Sequence, residues 1–131
     1  MTKTRNLHLL ISAIIITIIS LTYGLFPDNV LPGIFDFEVG STDLKQVFRA
    51  TMGLYLGMAI LWVIGIFNAF HWRTATIANV VFMIGLSVGR IISLIIDGVP
   101  TIWFSIGLGL ELSLGLWGII NLKKYPASLI Q

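Results

Sequence analysis

Apolar residues run through this chain in four long blocks, near Leu7–Leu25, Val47–Phe70, Ala75–Ile96 and Thr101–Leu122. Each is about as long as the roughly 20 residues that carry a helix across a bilayer's hydrocarbon core. The pattern predicts an all-α membrane protein: one domain, residues 1–131, folded as an up-and-down bundle of four transmembrane helices. One long connection, residues 26–46, separates the first two blocks. Its prolines are interleaved with Leu31, Ile34, Phe35 and Phe37, which is too apolar for a solvated tether. It is expected on the outer membrane face, or folded over the bundle mouth as a lid. Asp43 followed by Gln46 resembles a helix start. The remaining connections read as tight turns: His71-Trp72-Arg73-Thr74 at an interface, and Asp97-Gly98-Val99-Pro100, where Gly turns the chain and Pro stops the helix.

Composition agrees. Of 131 residues, 56% are hydrophobic and only 11% charged, too few to cover a soluble domain of this size. The first block follows Lys3 and Arg5 like a secretory leader. It is nevertheless as long as a full span and ends Tyr23-Gly24-Leu25-Phe26-Pro27 without a small-residue cleavage pattern, so it is expected to be a retained helix. Lys3, Arg5, Arg73, Lys123 and Lys124 fall on one side of a four-span chain. Asp28, Asp36, Glu38, Asp43 and Asp97 fall on the other, against Lys45 alone. The positive-inside rule places both termini in the cytoplasm, and the expected location is the cell inner membrane. There are no cysteines, so disulfide and thiolate chemistry are excluded. A net charge of +2 gives no reason to expect nucleic acid.

Three charges interrupt the blocks. Arg49 lies just over a turn inside the second, Arg90 about two turns from Asp97 in the third, and Glu111 about ten residues into the fourth, roughly 15 Å deep. An ionic side chain among acyl chains is costly, so each needs a partner, a cavity or a ligand. Arg90, Ser93 and Asp97 share one helical stripe. Arg49 is one turn from Gly53, and Glu111 one turn from Gly107 and Gly115. Arg49, Arg90, Ser93, Asp97 and Glu111 are thus expected to form one inward polar cluster in the outer half of the bundle.

Small residues mark expected helix contacts, since lipid supplies no hydrophobic drive for association. Gly53 with Gly57, and Gly85 with Gly89, form GxxxG pairs; Gly107, Gly115 and Gly118 share the face of Glu111. These pairs are expected to pack within the subunit or to form the seam of a homo-oligomer or larger membrane complex. His8 and His71 fall near the inner interface and read as anchors there, together with Trp72, Trp117 and Tyr125; Trp62 lies deeper and is expected to pack.

Three functional readings follow. In the first, the protein has a structural or accessory role, and an Arg90–Glu111 pair fixes helix register. In the second, two arginines against one deep glutamate leave a positive surplus, and an outward-facing pocket binds or transports a small anionic or polar ligand or a lipid headgroup. The third, a membrane enzyme, has least in its favour. No Ser-His-Asp set, paired-carboxylate motif, metal-ligand pattern or cofactor motif is present, so neither catalysis, metal nor cofactor is expected.

Arg49-Ala50-Thr51-Met52-Gly53, then Gly89-Arg90-Ile91-Ile92-Ser93 followed by Asp97-Gly98-Val99-Pro100, then Glu111 in a Gly-rich last span make a recognisable set. With them the chain resembles a bacterial group of small four-span membrane proteins catalogued only as a domain of unknown function. The resemblance covers nearly the whole chain. It implies the four-span topology and directs attention to Arg49, Arg90, Asp97 and Glu111; it implies no activity.

Overall fold

The computed structural model describes residues 2–126. Five helices follow one another: α1 (Thr2–Gly24), α2 (Pro27–Ile34), α3 (Thr42–Phe67), α4 (Ala69–Ile96) and α5 (Ile102–Lys124). All but α2 are long and apolar enough to cross a membrane. Successive long helices run antiparallel. Asn6 bonds the Ile66 carbonyl while Gly24 abuts Met52, and Val80 meets Gly118 while Arg90 meets Glu111. Both described chain ends and the α3–α4 junction therefore share one end of the bundle, here the terminal end. Segment 25–41 and the α4–α5 turn lie at the other, the α2 end.

Each long helix buries a narrow seam. In α3 it runs Met52, Tyr55, Ala59, Trp62 and Ile66; in α4, Trp72, Thr76, Asn79, Met83 and Ser87; in α5, Glu111, Leu114, Gly118 and Asn121. Steps of three and four keep such a stripe facing its neighbours along a slightly crossed pair of helices. Ile14, Ile18, Val63, Val81, Ile92 and Leu116 point away from the bundle, as residues meeting acyl chains would.

Three local expectations are corrected. The long connection is not plain loop, because Pro27, with φ preset for a helix start, opens α2. Phe104, Phe35, Phe37 and Phe48 then stack in sequence across this end, at centroid distances of 4.5, 5.7 and 5.8 Å. The cap of α3 is Ser41, whose Oγ accepts from the Leu44 amide at 3.1 Å; Asp43 lies in the first turn. The turn read at residues 71–74 falls instead on Asn68. Its amide donates to the Ile64 carbonyl, closing α3, and its Oδ1 accepts from the Phe70 amide, opening α4. One residue that caps both helices leaves Trp72 inside α4, fully buried, with the Arg5 guanidinium carbon 4.9 Å from its ring centroid.

Gly98 leaves α4 at φ +97°, where a Cβ is strained, and Pro100 prevents resumption of the helix. Gly98→Ala should cost about 1 kcal/mol of unfolding free energy, measured by denaturant titration in detergent. Lys45 donates to Asp28 at 2.7 Å, tying α2 to α3 and holding the Asp28 carboxyl below its usual value of 3.8. A depressed carboxylate stabilises the fold above the unfolded pKa and loses that contribution as pH falls through the folded one. The stability difference between wild type and Asp28→Asn, present at pH 6, should therefore shrink as pH falls below the ordinary carboxylate value of 3.8, as read from unfolding midpoints across pH.

Candidate functional site

The centre of the site is a single ion pair between α4 and α5. Arg90 Nε lies 3.0 and 2.8 Å from the two oxygens of Glu111, and Nη2 lies 2.9 Å from Oε1. Glu111 is 5% exposed. The seam of α5 sets this geometry. A Cβ at Gly107 would lie 3.6 Å from Arg90 Nη2, so the guanidinium rests against helix backbone one turn from Glu111. Farther along, a Cβ at Gly115 would come 2.7 Å from Ile84 Cδ1, and one at Gly118 2.6 Å from Val80 Cγ2. Small residues at these points let α4 and α5 approach closely enough for the pair to form. The Phe104 ring covers one face of the guanidinium, its centroid 5.3 Å from Cζ. The Tyr23 hydroxyl is a further polar neighbour of the guanidinium.

Two clefts reach this centre. The larger, about 680 Å³, runs between α3 and α4 along Leu54, Tyr55, Val81, Gly85 and Gly89. The smaller, about 320 Å³, lies between α1 and α5 along Ile15, Ile19, Trp103 and Leu110, with Phe35 closing its α2 end. Tyr23, Arg90 and Phe104 line both and form the partition between them. The walls are otherwise mainly apolar, with hydroxyls at Tyr23, Tyr55, Ser93 and Ser105 in the larger cleft. Among the described residues Arg90 is the only charged side chain in either lining.

Of the five residues expected to converge, the structure joins Arg90 to Glu111. Ser93 Oγ donates to Asp97 at 2.7 Å, and that exposed bond lies along α4 toward the α2 end. Ser93 also borders the larger cleft. Arg49 is exposed and outside both linings; its field reaches Asp28. Arg49 does share a face with Gly53, but the inward face of α3 is the aromatic one through Tyr55 and Trp62, because large side chains fill the bundle there.

The glycines divide in the same way. Gly107, Gly115 and Gly118 meet α4, whereas Gly53, Gly57, Gly85 and Gly89 are exposed with no neighbour within 4 Å of an added Cβ. The closest inter-helix glycine contacts include Gly24 against Met52 and Gly65 against Ala75, which the GxxxG search passed over. His8, read as an interfacial anchor, is fully buried, with Asn121 Nδ2 2.8 Å from its Nδ1. Trp117 packs at 6.2 Å from the His8 ring instead of standing at an interface. An i, i+4 reading of His8 with Ser12, two polar residues on one face of an apolar helix, is the signal that would have revealed this.

A buried pair costs desolvation, and removing one member strands the other. Arg90→Leu and Glu111→Leu should each destabilise the fold by about 3–5 kcal/mol. The double substitution should recover most of that loss, in a double-mutant cycle read by unfolding in lipid nanodiscs.

No curated protein and no solved structure matches this chain. The family model described as "Domain of unknown function (DUF4345)" matches residues 5–122, from the first basic residues of α1 to the last turn of α5, and so takes in both members of the ion pair. The chain belongs to that family.

Proposed function

We propose that this protein is a non-catalytic, multi-pass inner-membrane protein that binds a bilayer-dissolved amphiphile in the cleft between α3 and α4. Both termini face the cytoplasm in this reading, because Lys3, Arg5, Arg73, Lys123 and Lys124 gather at the terminal end. The observation that carries the binding role is the cleft itself. Mainly apolar walls lead to one cationic side chain, Arg90, with the Tyr23 hydroxyl beside it. Leu54 and Val81, on its two banks, are 62% and 67% exposed, so an occupant enters sideways from the lipid.

The head group's chemistry follows from the pair. Glu111 already neutralises Arg90, so a fully charged anion would meet the carboxylate as well as the guanidinium. A head with uncharged acceptor oxygens, such as an ester, a ketone or a protonated carboxyl, accepts from the guanidinium or the Tyr23 hydroxyl without that penalty. Catalysis has weaker support, since the hydroxyl of Ser93 is committed to Asp97.

Gly85→Phe tests the reading, because the position is open and filling it blocks the cleft while leaving the ion pair untouched. Protein purified in mild detergent should carry about one amphiphile per chain, detected by native mass spectrometry. The variant should lose it at least tenfold while keeping its helical circular dichroism. Equal retention by both proteins would defeat the proposal.

A second reading, an accessory subunit of a larger assembly, is favoured by the outward-facing glycines at 53 and 57. Disulfide trapping of Gly57→Cys between chains in native membranes would select it.

A further inference from the structure

The terminal half of the bundle holds a second polar centre, remote from the clefts. His8 Nε2, Ser12 Oγ and both amide atoms of Asn79 are buried without a hydrogen-bond partner, and all three side chains are 0% exposed. They share one locality. A Cβ at Gly118 would lie 3.6 Å from Asn79 Oδ1 and 3.8 Å from His8 Cδ2, so both polar side chains flank Gly118 of α5, beside Val80. Ser12 is one helical turn along α1 from His8. Ile16, Met83 and Leu114 form a buried apolar layer between this centre and the Arg90–Glu111 pair.

Unpaired buried polar atoms each cost the free energy of their lost hydration, and lipid returns none of it. Three such side chains from two helices, gathered beside a third, are not incidental polarity. We propose that His8, Ser12 and Asn79 form a sealed binding site for ordered water, one or two molecules that tie α1 to α4 across the face of Gly118.

The donor and acceptor inventory selects water over an ion. Asn79 offers both an acceptor and donors, and Ser12 is amphoteric. His8 Nδ1 lies 3.0 Å from the Arg5 carbonyl and 2.8 Å from Asn121 Nδ2, which is also 3.4 Å from that carbonyl. If Nδ1 donates to the carbonyl, Nε2 is a bare acceptor; if Nδ1 accepts from Asn121, Nε2 carries the proton. Water serves either tautomer. An anion would face Asn79 Oδ1, and a cation the amide N–H groups. The Arg5 guanidinium is engaged with the Trp72 ring, and the Trp72 indole N–H, buried without a partner on a ring packed against His8, adds one more donor beside the centre. Thr76 takes no part, because its hydroxyl donates to the Trp72 carbonyl at 2.8 Å.

The test uses the full chain in lipid nanodiscs, with Asn and His isotopically labelled. Magnetisation should pass from water to the Asn79 side-chain amide and the His8 ring in the wild type, unaffected by exchanging chloride for bromide. Asn79→Leu should abolish the transfer to His8 and lower the folding equilibrium constant roughly tenfold or more, since the remaining partners lose their bridge. A dry site gives the opposite sign: no transfer in the wild type, and an Asn79→Leu protein as stable as the parent or more so. Halide-dependent shifts at either residue would replace water with an ion and equally overturn the proposal. If Asn79→Leu fails to fold, the wild-type transfer alone decides.

Discussion

The solvent around these helices forms no hydrogen bonds, and that constraint organises the rest of the structure. In water a stray serine or arginine on a helix face is hydrated at almost no cost. In hydrocarbon it must find a partner within the bundle or reach an end. The seams of the four long helices obey this rule. Ser12, Ser20, Thr76, Asn79, Ser87, Arg90 and Glu111 lie on them, among Ile16, Trp62 and Met83, while the exposed Ser113 donates to the Gly109 carbonyl of its own helix. Hydroxyls that need only one bond return it to their own helix, as Ser20 does to the Thr17 carbonyl and Ser87 to that of Met83. Arg90, with more to satisfy, requires another helix, whereas Asn79 finds no partner among the described side chains. The ion pair therefore determines that α4 and α5 must meet.

Arg90 also explains why the α2 end is loosely filled. Its guanidinium needs the carboxylate of Glu111, and the glycine row of α5 brings that helix onto α4 to provide it. With α4 drawn toward α5, and α3 held to α1 along its length from Gly24–Met52 to Asn6–Ile66, the space between α3 and α4 widens away from Asn68. Phe82 bridges the gap near its base, packing edge-on against Trp62 and Tyr55. Beyond it Gly85 and Gly89 contribute no side chain, and the cleft opens. A packing requirement on one side of α4 thereby produces an opening on the other, which the same arginine lines.

Much of this was legible in the sequence, and the parts that were not share a cause. Four apolar blocks and their charge asymmetry imply four spans, because hydropathy and length are summed over some twenty residues and survive local errors. The facing of Arg90 toward Glu111 was legible because both carry a charge that cannot be left in lipid. Arg49 misled because it lies little more than one turn inside α3, near enough to the end to stay exposed beside Asp28. The GxxxG pairs at 53/57 and 85/89 do not pack within the chain for a related reason, which leaves the alternative of a seam with another chain. Glycine is as tolerable against acyl chains as against a helix, so spacing alone does not orient it, whereas the heptad of Tyr55, Ala59 and Trp62 orients α3 correctly. Asn68 was missed as the junction because one residue capping two helices leaves no run of turn-forming residues.

The two polar centres then differ in kind. Arg90 and Glu111 satisfy each other directly, so the pair holds without help from outside while the arginine lines a cleft. His8, Ser12 and Asn79 are neutral, and the partners they have lie only on the Asn121 side. A neutral group left unpaired costs less than a stranded charge, and bound water can supply its missing bonds. An ionic pair suits the half of the bundle where the helices part, because its strength sustains contact beside an opening. A hydrated neutral set suits the half where they close, because water fits only where the surrounding packing seals it in. The apolar layer of Ile16, Met83 and Leu114 keeps the two apart, so that hydration at one end does not reach the ion pair at the other.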